Sequence, residues 1–118
     1  MAKNYEESVN SLNIIGNGTD ITGDLNSNGD IRIDGSLKGN LVTQAKFVLG
    51  QTGKIKGEIK CKNAEVSGIV EGILNVEDLL VLKSTAQIYG DIFTGKLLIE
   101  VGAVFSGNCN MSGNIKTE

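Results

Sequence analysis

At 118 residues, with a formal net charge of −3 and a sequence pI near 4.9, the chain has room for one core and lacks the basic balance that nucleic acids select. Its hydrophobic residues, 40% of the total, never run long enough to cross a bilayer, and the opening MAKNYEESVN has no apolar stretch of a secretory kind, so a cytoplasmic chain is expected. Glycine is abundant and proline absent, which favours continuous hydrogen-bonded strands turned at glycine corners, with negligible helix.

Residues 1–13 are polar, with Glu6 and Glu7, and read as a flexible tail. From residue 14 to 113 a repeat takes over, in which a glycine is flanked at two residues on either side by an apolar residue. In chain order the six copies hold Ile21, Gly23 and Leu25; Leu37, Gly39 and Leu41; Ile55, Gly57 and Ile59; Val70, Gly72 and Leu74; Ile88, Gly90 and Ile92; Phe105, Gly107 and Cys109. The glycine-to-glycine steps are 16, 18, 15, 18 and 17 residues. Two-helix repeats need roughly 33 to 47 residues, so helical arrays are excluded. Four residues before each central glycine stands a second small residue, Thr19, Gly35, Gly53, Gly68, Ala86 or Ala103, which marks a second corner.

Within a copy the inward residues alternate, and between copies they recur, so like side chains are expected to stack in columns. Two further columns are expected: Ile31, Leu49, Ala64, Leu82 and Ile99, eight residues before the central glycine, and Ser27, Thr43, Cys61, Val76, Thr94 and Met111, four after it. A copy of this length accommodates about three short strands. The expected fold is an all-β, three-sided parallel β-helix (β-solenoid) of about six coils spaced about 4.8 Å apart, followed by a short polar tail at 114–118.

No histidine occurs, which removes the commonest general base and metal ligand. The histidine-dependent acyltransferases and carbonic anhydrases built on coils of this length are excluded with it; the expectation is no enzyme, no cofactor and no metal site. Asp20, Asp24, Asp30 and Asp34 alternate with inward apolar residues, fit no calcium-loop spacing, and are read as solvated carboxylates. Gly16–Gly23 lacks the lysine of a phosphate loop and leads into a strand. Cys61 and Cys109 fall in inward columns three coils apart, roughly 14 Å at the usual strand spacing, against a disulfide reach of about 7 Å, and are expected as buried thiols. Lys38, Lys54, Lys56 and Lys60 crowd the second and third coils, with Lys38 over Lys56. They form a candidate face for an anionic partner such as lipid head groups or a protein, the competing reading being a solvated face.

A solenoid hides its sides but not its ends, where unpaired backbone groups and core contents are left open. Monomeric solenoids cover such ends with a helix, proline or inward charge. Neither end here offers a helical segment or proline, and one inward column finishes in the bulky Phe105. The ends are expected to join copies of the chain, with Phe105, Val101, Ala103 and Met111 at one and Ile15, Ile21 and Leu25 near the other, the competing reading being that Phe105 plugs the base of its own core while the polar tails shield the edges.

Four stretches, DIRIDGSLKGNL, LGQTGKIKGEI, AEVSGIVEG and LLIEVGAVFSGNCNM, resemble the bactofilins, a family of bacterial cytoskeletal proteins, over about Gly18 to Gly113. The resemblance implies a right-handed β-helix of triangular section that assembles without nucleotide into a homopolymer, a non-polar filament joined through terminal coils. It implies a place often beneath the membrane and a scaffolding role for cell shape or envelope-synthesis proteins. It carries the family's end-face aromatic onto Phe105. For the family's N-terminal membrane-targeting segment the chain offers Met1, Ala2, Lys3 and Tyr5 beside Glu6 and Glu7, and it has no proline for the family's proline-rich tail. The alternative left open is a monomeric solenoid that binds its partner on the lysine-bearing face.

Overall fold

The computed structural model describes residues 12–111; most of the two expected tails, with Met1, Ala2, Lys3 and Tyr5, lies outside the described residues. Ten strands follow in chain order: β1 Leu12–Ile15, β2 Asp20–Thr22, β3 Leu25–Ser27, β4 Asp30–Ile33, β5 Ser36–Thr43, β6 Lys46–Leu49, β7 Lys54–Val66, β8 Ile69–Leu82, β9 Gln87–Ile99 and β10 Val104–Met111. All paired strands run parallel, each lying on the strand one coil before it. The fold is the expected β-solenoid of about six turns. The first side of each coil precedes the central glycine, the second follows it, and β1, β4, β6 and the ends of β7, β8 and β9 make the third.

The central glycines bend the chain inside the strands and leave the ladder unbroken. Gly39, Gly57, Gly72, Gly90 and Gly107 are in register, and together with Gly23 they adopt φ between 128° and 144°. Side chains resist that conformation, and a Cβ on Gly57 would also press against the carbonyl of Gly39 one coil below. At Gly23, in the first coil, the same Cβ would meet open space.

On the first and second sides the columns run as the spacing predicts, Ile21–Leu37–Ile55–Val70–Ile88–Phe105 and Leu25–Leu41–Ile59–Leu74–Ile92–Cys109. The third side corrects the column expected eight residues before each glycine. It holds two columns, Ile31–Phe47–Ala64–Leu80–Leu97 and Ile33–Leu49–Val66–Leu82–Ile99. The corner that follows is tight after Ile33 and Val66. After Leu49, Leu82 and Ile99 it carries two more residues, closed by turn hydrogen bonds from Gly53 N to Gly50 O, Ala86 N to Lys83 O and Ala103 N to Glu100 O. A fixed offset therefore lands on Ile31 and Ala64 in one column and on Leu49, Leu82 and Ile99 in the other.

From the second coil to the fifth the inward residues are almost sealed from water, among them Phe47, Leu41, Ile55, Ile59, Leu74, Leu80, Ile88 and Ile92. Each such side chain contributes roughly 1.5–3 kcal/mol on leaving water. Two threonines share this interior. Thr43 Oγ1 donates to Gly29 O at 2.7 Å and accepts from Ala45 N, while Thr94 Oγ1 donates to Lys96 O at 2.9 Å, so each hydroxyl closes the corner between second and third sides and is not left unsatisfied. Two of the aspartates serve the backbone, Asp24 Oδ1 accepting from Asn40 N and Asp30 Oδ1 from Lys46 N, while Asp34 pairs with the Arg32 guanidinium. The first two cap amides of the next coil near its corners.

Candidate assembly faces at the two ends

Each terminal coil has, among the described residues, a neighbour on one side only, and burial falls away at both ends. Among the described residues nothing pairs with the far edge of β10 or with the near edges of β1, β2 and β3. At the C-terminal end Phe105 rests on Ile88 with its upper part open, Met111 on Thr94, and Ala103 closes the corner beside them. Leu97 and Ile99 complete this face from the third side, and Ile99 is about half exposed. Val101, grouped with the face from sequence, stands instead at the protruding corner between third and first sides, 96% exposed. At the N-terminal end Ile15, Ile21 and Leu25 are half-covered by the coil above them.

Leu97, Ile99 and Cys109 were not named as interface residues from sequence. Leu97 is hidden there by the variable third corner; Ile99 is expected inward but without its end position being drawn out, and Cys109 is masked by the assumption that an inward thiol is a buried one. The structure corrects that assumption: Cys61, with coils on both sides, is buried, whereas Cys109 has none above it among the described residues and is exposed. Burial pushes the Cys61 thiol up to about 12, and partial desolvation raises that of Cys109 to a lesser degree. Since the thiolate is the reactive form, Cys109 is expected to take up a maleimide at about pH 8 while Cys61 stays unmodified until the chain is unfolded. Mass spectrometry of the labelled protein checks this.

The four lysines do not make one face. Lys38 lies over Lys56 in register, and with Lys54 and Ser36 they border a shallow depression of about 430 Å³ on the first side. Lys60 follows the Gly57 bend and stands on the second side, in a groove with Val42, Asn75 and Phe93. Lys56 reaches Glu71 at 3.8 Å; among the described residues Lys38 and Lys54 have no ion pair. No group of acidic, cysteine or histidine side chains among the described residues is placed to hold a metal ion, and no helix is long and apolar enough to cross a membrane.

Fold and ends together define a parallel β-solenoid whose described residues finish in ladder edges and apolar columns. Residues 13–110 match the family described as "Bactofilin: Polymer-forming cytoskeletal". The chain belongs to the bactofilin family and thus to the polymer-forming cytoskeletal proteins. It is 31% identical over 98 residues to Bactofilin BacO of Myxococcus xanthus, covering 83% of this chain and 78% of that one. Against Bactofilin BacP of the same organism it is 31% identical over 111 residues, 93% of this chain but 46% of BacP. The crystal structure of a mutant bactofilin from Thermus thermophilus superposes with a TM-score of 0.72 at 30% identity, covering 76% of this chain and all of the other.

Proposed function

We propose that the chain assembles end to end, without nucleotide, into non-polar filaments, with Phe105, Ala103 and Met111 meeting their counterparts at one joint and Ile15, Ile21 and Leu25 at the other. Val101 flanks the first joint from its corner. The observation that carries the reading is the C-terminal coil, whose eight-residue strand has no partner on its far edge among the described residues, beside half-open Phe105 and exposed Met111. Burying that edge against a second copy continues the ladder and removes apolar surface from water. Nothing in such a joint calls for a nucleotide's energy. The polymer would be a structural scaffold in the cytoplasm, at the inner face of the membrane, for proteins that shape the cell or build its envelope, and not an enzyme. Met1, Ala2, Lys3 and Tyr5 would supply any weak membrane contact, and Lys38, Lys54 and Lys56, with Lys60 around the bend, a contact for an anionic partner.

Cys109 tests the joint directly. In a like-to-like C-terminal joint two Cys109 thiols belong to one interface, whereas a head-to-tail joint sets Cys109 against the first coil, where no cysteine stands. Filaments grown from purified protein without nucleotide and treated with bismaleimides of graded length, up to one that spans the width of the end face, are expected to give a covalent dimer through Cys109. Filaments that yield only singly modified chains would overturn the non-polar arrangement, and the absence of filaments by negative-stain microscopy would overturn the assembly itself.

A further inference from the structure

The two ends of the solenoid differ in chemistry. At the C-terminal face the inward positions are Leu97, Ile99, Phe105, Cys109 and Met111, with no hydrogen-bonding side chain other than the thiol. At the N-terminal face the corresponding positions include Asn13, beneath Ile31, and Ser27, beneath Thr43. Asn13 Nδ2 donates to Ser27 Oγ at 3.2 Å, and Ser27 Oγ is also within reach of Gly29 N and O at 3.2 Å. The edges differ as well. At the C-terminal end β10 runs unbroken through Gly107 for eight residues, whereas on the same two sides the first coil has two three-residue strands, β2 and β3, separated by Gly23 and Asp24.

Resting on the end-to-end reading, we infer that the two joints form in order: C-terminal faces pair first, and the resulting dimer is the unit that adds to a filament through its N-terminal faces. Closing the C-terminal joint removes almost purely apolar surface from water and can extend a continuous ladder. Closing the N-terminal joint also covers the Asn13 amide, whose second N–H and carbonyl must find partners or keep a water, and it offers a ladder edge that lapses at the bend. That joint is the weaker one. It is also the more selective, because a misaligned partner would lay the Asn13 amide against Ile15, Ile21 or Leu25 and leave it unsatisfied.

Sedimentation velocity of the full chain in two variants, Phe105→Arg and Ile21→Arg, decides the order. At about 10 µM the Ile21→Arg chain is expected to be a dimer that a bismaleimide locks through Cys109, and the Phe105→Arg chain a monomer, its self-association weaker by about tenfold or more. Leu25→Arg serves as a second N-terminal variant, and protection of Cys61 from maleimide shows that each variant is folded. A dimeric Phe105→Arg with monomeric Ile21→Arg and Leu25→Arg, or equal association of all three, overturns the order. Wild-type protein that forms no filaments overturns the end-to-end reading instead.

Discussion

Phe105→Arg is expected to abolish filaments while leaving a folded, β-rich chain whose circular dichroism matches the wild type. In the isolated chain the side chain at this position rests on Ile88 with its upper part in water, so an arginine can lay its stem along Ile88 and keep its head solvated. The fold loses little. In a like-to-like joint, however, two guanidinium groups would be enclosed face to face with no carboxylate among the described residues of that face. A buried, uncompensated charge costs roughly 3–5 kcal/mol, which is about two to three and a half decades in a dissociation constant. Val101→Arg is the control: at a protruding corner the new charge can turn to solvent, and filaments are expected to persist with at most modest shortening. Negative-stain microscopy with sedimentation reads both. Intact filaments from Phe105→Arg would remove the C-terminal face from the joint, and equal loss from Val101→Arg would place that corner inside it.

How far the sequence discloses this architecture depends on where the chain tolerates variation. On the first and second sides the inward positions lie two residues from a glycine that cannot move, and the columns through Ile55 and Ile59 can be counted directly. On the third side the corners carry either three or five residues between inward positions, as after Ile33 and after Leu49, so counting from the glycine fails and Phe47 and Leu80 are missed. Burial follows a different logic. Cys61 and Cys109 stand at similar inward positions, yet one is sealed and the other open, because coverage depends on the coil above and not on the residue's own neighbours in sequence. Likewise the lysine cluster looks continuous along the chain, and the Gly57 bend separates Lys56 from Lys60 onto adjoining sides. The polar pair Asn13–Ser27 was not legible at all: Asn13 reads as tail until its register beneath Ile31 shows it to be part of the first coil.

The second large effect is expected at the bend itself. Gly57→Ala should destabilise the chain far more than Gly23→Ala, although both glycines occupy the same place in the repeat. Each has a positive φ, 144° at Gly57 and 128° at Gly23, in a region that costs a residue with a side chain on the order of 1–3 kcal/mol. Gly23 carries that cost alone, since its added methyl would meet open space. At Gly57 the methyl would also collide with the carbonyl of Gly39, a backbone group held by ladders on both sides of the bend. Relief requires the second and third coils to separate beyond the strand spacing of about 4.8 Å, breaking hydrogen bonds through the middle of the core. A loss of at least ~3 kcal/mol is a large share of a domain stability of roughly 5–15 kcal/mol. Urea unfolding in the Phe105→Arg background, where assembly does not mask the transition, measures the difference, and equal midpoints for the two alanine variants would refute the glycine-ladder argument. The consequence reaches the filament. The spacing that Gly57 permits between coils is the spacing at which β10 would receive a strand from another copy, so a chain unable to stack its own coils has no edge on which to stack the next molecule.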